Sequence, residues 1–248
     1  MIEVKDLHKT YERRNKRVEA LRGISFTVPP GSIYALIGPN GAGKTTALRT
    51  IATLLRPDGG SVTVNGKDTV EEARSVRDAI GFLTSDMRLS GNLTPHELLH
   101  FFGELNHLGE ELIRERIELL GGYLQMRDFL DRPVAKLSTG QKQKASIAVS
   151  IIHDPDVIVF DEPTAGLDIL ASKIVVDFLR DSRDKGKTVL LSTHVIQEAE
   201  RLCDSLGILV AGQILEQGTR AEILSRHGAS SIEEVFFALY RENGREIA

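Results

Sequence analysis

Apolar positions along the chain follow two rhythms. Short, almost unbroken apolar runs occur at residues 33–37, 79–83, 157–160, 188–192 and 206–210. Such runs are apolar on both parities and predict strands buried on both faces. Between them, apolar residues recur at helical spacing over residues 45–55, 94–108, 111–120, 122–129, 141–152 and 169–184. Thr94-Pro95-His96-Glu97 opens one of these stretches with a capping-box pattern and a proline at the first helical position. Strands alternating with helices predict a mostly parallel sheet covered on both faces. Residues 86–135 carry no strand signal. Together with the 141–152 helix they predict a helical insertion over about 86–150.

Further strands are predicted over residues 2–7, 24–28 and 61–64, the last followed by the turn signal Asn65-Gly66. Between the first two lies the basic run Glu12-Arg13-Arg14-Asn15-Lys16-Arg17. It reads as a solvated hairpin tip or, more sharply, as a contact for acidic lipid headgroups. The 206–210 strand leads through Ala211-Gly212-Gln213 into residues 214–216, a hairpin. Residues 230–240 predict a short amphipathic helix packed on its own domain.

The junction between the 33–37 strand and the next helix carries chemistry. Gly38-Pro39-Asn40-Gly41-Ala42-Gly43-Lys44-Thr45-Thr46 fits G-x-x-x-x-G-K-[ST], the phosphate-binding P-loop, in its strand–loop–helix context. Glycines let the backbone wind tightly, so that successive N–H groups point at phosphate oxygens. The N-terminus of the helix adds partial positive charge. Lys44 brings a full charge to the β- and γ-phosphates, and the Thr45 hydroxyl is suited to Mg²⁺.

Val157-Ile158-Val159-Phe160-Asp161-Glu162 places two carboxylates at the end of a buried strand, where ligands bind in open α/β sheets. Asp161 would hold Mg²⁺ and Glu162 would polarise a water for attack on the γ-phosphate. Leu137-Ser138-Thr139-Gly140-Gln141 precedes a helix. Ser138 there is an N-cap, a second anion contact, or both, since one geometry serves both roles.

Composition narrows the classes. Of 248 residues, 41% are hydrophobic and 27% charged, as in a soluble globular protein, and the net charge of −4 argues against broad affinity for nucleic acid. No apolar run approaches the ~20 residues of a membrane span. The first residues, Met1-Ile2-Glu3-Val4-Lys5-Asp6, lack a signal-peptide layout. The one cysteine, Cys203, excludes an internal disulfide and reads as a small packed hydrophobe.

Taken in order, these motifs resemble the nucleotide-binding subunit of an ATP-binding cassette (ABC) transporter. Gly38 to Thr45 matches Walker A. Residues 137–141 resemble the LSGGQ signature, with Thr139 for the first glycine. Residues 157–162 match Walker B with its catalytic glutamate. Ala165-Gly166-Leu167-Asp168 matches the D-loop, and His194, after Leu190-Leu191-Ser192-Thr193, the switch histidine. Tyr11 matches the aromatic that stacks on adenine. The match runs from about residue 3 to 218.

The resemblance implies an α/β fold: a P-loop NTPase core with a mainly parallel sheet, an antiparallel β subdomain and an inserted helical subdomain. The ATP-binding domain would span residues 1–220, with a helical tail over 221–248. It also implies a Mg-dependent ATPase in which two such domains, as a homodimer or pseudo-dimer, sandwich two ATP molecules. Each ATP would lie on one subunit's Walker A and face Ser138, Gly140 and Gln141 of the other. Lys44, Glu162 and His194 would be catalytic. Export would run through a membrane-spanning permease subunit on a separate chain, docked near residues 85–93, with this chain peripheral at the cytoplasmic face of the membrane. The tail and residues 85–86 resemble a subgroup of exporter ATPases that includes sodium-extrusion members.

One position departs. The family usually has a glutamine after the 79–83 strand, which reaches Mg²⁺ and the attacking water. Here Ser85-Asp86 stand there, and serine is too short to do the same directly. Either Asp86, alone or with a bridging water, takes over part of the task, or it only shapes a polar loop.

A soluble ABC ATPase acting on ribosomes or nucleic acid is the competing reading. It fits less well. The chain carries one cassette, has no basic patch, and shows no heptad run in the roughly one hundred residues between Lys44 and Ser138. A P-loop kinase or GTPase would leave residues 137–141 without a role.

Overall fold

The computed structural model describes residues 1–13 and 16–242. Arg14 and Asn15, the tip of the basic run, lie outside these residues.

Two sheets form. Strands β1 (Ile2–Arg13), β2 (Lys16–Val28), β4 (Gly59–Val64) and β5 (Lys67–Asp68) make an antiparallel sheet in the order β2-β1-β4-β5. The second sheet contains β3 (Ile33–Ile37), β6 (Ile80–Leu83), β7 (Val157–Asp161), β8 (Thr188–Thr193), β9 (Ser205–Val210) and β10 (Gln213–Gly218). Its order is β10-β9-β3-β8-β7-β6, parallel except for the β9–β10 hairpin.

Alternation along the central strands sorts side chains into two cores. Ile33, Ala35 and Ile37 of β3, with Ile158 and Phe160 of β7, face the helical side. Tyr34 and Leu36, with Val157 and Val159, face the antiparallel sheet. Between the sheets lies α1 (Lys44–Ile51), with Ala47, Leu48 and Ile51 buried. The helical side holds α3 (Pro95–Leu105), α4 (Glu110–Tyr123), α5 (Thr139–Ile151) and α6 (Ile169–Asp184). It also holds α7 (Ile196–Leu202), α8 (Arg220–His227) and α9 (Ile232–Glu242), which add Leu202, Ile223, Ile232 and Val235 to that core. A short α2 (Ala73–Ala79) precedes β6.

Local chemistry sets the helix starts. Thr94 caps α3 with a full capping box to Glu97 and Pro95 inside the first turn, and Ser138 caps α5 the same way with Gln141. Where two helices were expected over 111–120 and 122–129, α4 is continuous to Tyr123, and only a 3₁₀ turn, Arg127–Phe129, follows. Gly121 and Gly122 lower helix propensity, yet packing overrides that preference. A Cβ on Gly121 would lie 3.4 Å from Leu130 Cδ1, so glycine here lets that leucine close in. The first hairpin is longer than expected. Irregularities in the β1–β2 register after Val4 and Lys9 interrupt the alternation that a sequence pattern can show.

Candidate active site

The parallel strands β3, β7 and β8 deliver their C-terminal ends to one edge, and the P-loop wraps that edge. Gly41 and Gly43 take φ of 79° and 111°, which favours glycine. A Cβ on Gly38 would sit 2.1 Å from the Leu209 carbonyl oxygen, so no larger residue fits without backbone movement. Gly43 is the N-cap of α1 and gives it no side-chain cap, so the first N–H groups of the helix stay open to an anion. Lys44 is 6% exposed; its Nζ donates to the carbonyls of Gly38 at 2.7 Å and Pro39 at 3.2 Å.

Residues 39–46 line a cleft of about 370 Å³ with Ala20, Ser85, Glu162, Ala165 and His194. Behind the Thr45 and Ser85 wall of the cleft Asp161, fully buried, accepts three hydroxyls. Ser192 donates to Oδ1 at 2.5 Å, while Thr45 and Ser85 donate to Oδ2 at 2.8 and 3.0 Å. Hydroxyl and carboxylate oxygens are the hard donors Mg²⁺ takes, with water and substrate phosphate completing the shell. On the other wall Glu162 bridges Lys44, Oε1 to Nζ 3.5 Å, and His194, Oε2 to Nδ1 2.8 Å. Its Oε1 is buried and has no hydrogen bond, so the 3.5 Å ion pair is its only polar contact among the described residues and a further acceptor position is open. Glu162 has φ of 51°, left-handed backbone at a non-glycine residue. Its N–H is fixed by both oxygens of Ser192 at 3.1 Å.

The remaining expected residues fall at the cleft's edge or away from it. The Tyr11 hydroxyl lies 3.4 Å from Thr46 Oγ1 and the residue is 39% exposed. Ser138, Gly140 and Gln141 do not line the cleft; the Gly140 Cβ position faces Ala171 and Leu167 next to the D-loop segment. Asp86 is also absent from the lining. Its carboxylate is taken by Arg49, with Nη2 at 2.9 Å from both oxygens, and by the Thr84 hydroxyl at 2.5 Å. The Thr84 hydrogen bond and then Arg49 hold that carboxyl below its usual range. The structure thus brings Ser85, not Asp86, to the Asp161 carboxylate, because β6 lies directly beside β7.

Sequence reasoning missed Ser192 and Arg49. A serine at the end of a fully buried strand was the available signal, because a buried hydroxyl must find a partner. Nothing in the spacing marked Arg49.

A P-loop core, an acid pair at the end of β7 and a capped anion-type helix start in a helical insertion define a cassette-type ATPase. The ABC transporter family profile matches residues 21–165. The ABC transporter ATP-binding protein NatA of Bacillus subtilis is 38% identical over 239 residues, covering 96% of this chain and 97% of that protein. Nod factor export ATP-binding protein I of Ralstonia nicotianae is 36% identical, covering 95% of this chain and 72% of that protein. A solved ATP-binding subunit of an ABC transporter superposes with a TM-score of 0.87 at 32% identity, covering 96% of this chain and 99% of that one. A dimeric post-hydrolysis ATP-binding cassette bound to ADP and Pi superposes with a TM-score of 0.81 at 25% identity, covering 88% of this chain and 98% of that one. The chain belongs to the ABC transporter family and is an ATP-hydrolysing, ATP-binding subunit.

Proposed function

We propose that this subunit hydrolyses Mg-ATP in the 39–46 cleft, as half of a two-subunit sandwich, and powers export through a membrane-spanning subunit on a separate chain. The observation that carries the reading is the divergence of two adjacent carboxylates. Asp161 is wrapped by hydroxyls on the Thr45 side, while Glu162 faces Lys44 and His194 across the cleft.

In this reading Lys44 exchanges its carbonyl partners for β- and γ-phosphate oxygens, a charge-assisted contact. Thr45 and Asp161 would hold Mg²⁺, which neutralises phosphate charge when bound. Glu162, which lines the cleft, orients and deprotonates the attacking water through its carboxylate. His194 keeps Glu162 aligned through Nδ1 and has Nε2 for the γ-phosphate. Tyr11 packs against the nucleotide base. Ser138, Gly140 and Gln141 serve the ATP of a second subunit, homo- or heterodimeric, which fits their position outside this chain's own cleft.

Leu93, Phe101 and Leu105 are exposed apolar residues on and before α3, a surface suited to a short helix of the membrane subunit. No helix among the described residues is long and apolar enough to cross a membrane. In this reading the spanning part is another chain, and this one works at the cytoplasmic face of the membrane. Relatives named for Nod factor export and daunorubicin resistance support the export direction.

Glu162→Gln tests the reading. The variant is expected to bind ATP, lose turnover by about a thousandfold and dimerise with Mg-ATP by light scattering. Retained turnover would remove Glu162 from the reaction. A monomer under those conditions would count against the sandwich.

A further inference from the structure

The strained backbone at Glu162 calls for restraint from outside the cleft. A non-glycine residue at φ 51° is strained and persists only where its surroundings over-determine it. Ser192 fixes the Glu162 N–H from β8. The next two residues are each tied to a different helix. Gln143 of α5 donates from Nε2 to the Pro163 carbonyl at 2.9 Å. The Thr164 hydroxyl donates to Oε2 of Glu198, in the first turn of α7, at 2.7 Å. Both bonds are partly buried, so water competes for them poorly.

We propose that Glu198 and Gln143 are positioning residues for hydrolysis. They clamp the 163–164 segment from opposite helices and so hold the Glu162 carboxylate at the water-activating position. The inference rests on the assignment of Glu162 to the hydrolytic step. Neither residue lines the cleft, so neither is expected to touch ATP. Glu198 lies in α7, the helix that begins two residues after His194, so its carboxylate ties the Glu162 loop to the helix that follows the histidine. Burial pushes the Glu198 carboxyl above its usual range, with the Thr164 hydrogen bond opposing. The geometric role rests on the acceptor oxygen that Glu198 offers the Thr164 hydroxyl. Gln143 lies on the same helix as Ser138 and Gly140. That helix is thereby joined by one hydrogen bond to Pro163, the residue after this chain's own Glu162.

The test separates geometry from binding and from folding. Thr164→Val and Glu198→Met remove the two ends of one bond with little change in volume, and Gln143→Met removes the other bond. Each is expected to lower kcat about tenfold while the KM and Kd for ATP stay within about twofold. The Thr164→Val/Glu198→Met double variant should fall no further than either single. Thr164→Ser and Glu198→Gln keep a donor and an acceptor and should recover kcat to within about twofold of the parent. Melting temperature is recorded for every variant, so a loss of kcat that tracks a loss of folded protein counts against the proposal. Unchanged kcat in Thr164→Val, a Kd that weakens in step with kcat, or a Glu198→Gln as impaired as Glu198→Met would overturn it. If Glu162→Gln is inactive while all three bond-deleting variants are fully active, this inference alone fails. If Glu162→Gln itself turns over normally, the assignment beneath it fails.

Discussion

Replacing Ser85 with alanine removes one of the three hydroxyls that satisfy the buried Asp161 carboxylate. The other two remain, from Ser192 at 2.5 Å and Thr45 at 2.8 Å, and the lost bond is the longest at 3.0 Å. A hydrogen bond to a charged group contributes about 1.5–3 kcal/mol. Ser85 itself is exposed, so water can approach Oδ2 once the hydroxyl is gone, which puts the cost below that range, at about 1 kcal/mol. In a domain of this size that shifts Tm by about 2–4 °C. The cost belongs to a carboxylate without a cation. With Mg²⁺ and a non-hydrolysable ATP analogue present, the gap between parent and variant should narrow to below about 1 °C. Thermal unfolding of both proteins, in EDTA and then with Mg²⁺ and analogue, reads the two gaps directly. Identical Tm values in EDTA would refute the hydrogen-bond argument. A gap that persists undiminished with the metal would show that Ser85 supports the fold and not the carboxylate proposed to hold Mg²⁺.

Lys44→Ala is expected to weaken ATP binding about a hundredfold, measured by titration calorimetry, because a full charge on the phosphates is lost. Asp86→Ala is expected to leave the Mg²⁺ requirement for turnover within about twofold, since its carboxylate is engaged by Arg49 and Thr84; a tenfold rise would return Asp86 to the metal. Asp154 joins Arg116 of α4 to Lys187, and although burial works to raise its carboxyl, the Lys187 and Arg116 hydrogen bonds hold it below the ordinary 3.8. A lowered folded-state value gives stability that is present above the unfolded value and lost as pH falls through the folded one. Asp154→Asn should therefore cost about 1 kcal/mol at neutral pH, a figure kept low because solvent screens a half-exposed pair, and cost nothing below that lowered value in acid unfolding curves.

The buried sheet was legible because its strands need no partner to be recognised. All five residues of β3 and of β7 are buried, and an unbroken apolar run can mean little else between helices. Periodicity did not reveal α7 or α8. α7 buries only Ala199 and Leu202, and α8 only Ile223, too few positions to establish a period of 3.6. α8 falls almost entirely in the tail over 221–248 that only the family resemblance made helical, and a Thr219 capping box starts it.

The site divides along a similar line. Groups that must be consecutive, the P-loop and the Asp161-Glu162 pair, could be read directly. Ser85 and Ser192, which meet Asp161 only because β6, β7 and β8 lie side by side, could not, and His194 was expected only from the family resemblance. Ser85 shows that direction matters here as well as chain length. Thr84 and Asp86 both turn toward Arg49 on α1, while Ser85 between them turns to Asp161. Neighbouring residues in this segment face apart, so Ser85 and Asp86 cannot both serve the same carboxylate site. The choice between them was one of direction, and direction was fixed by Arg49. That guanidinium draws Asp86 away from the cleft, keeps a second carboxylate from crowding Asp161, and leaves a neutral hydroxyl where a negative charge would have opposed the phosphates.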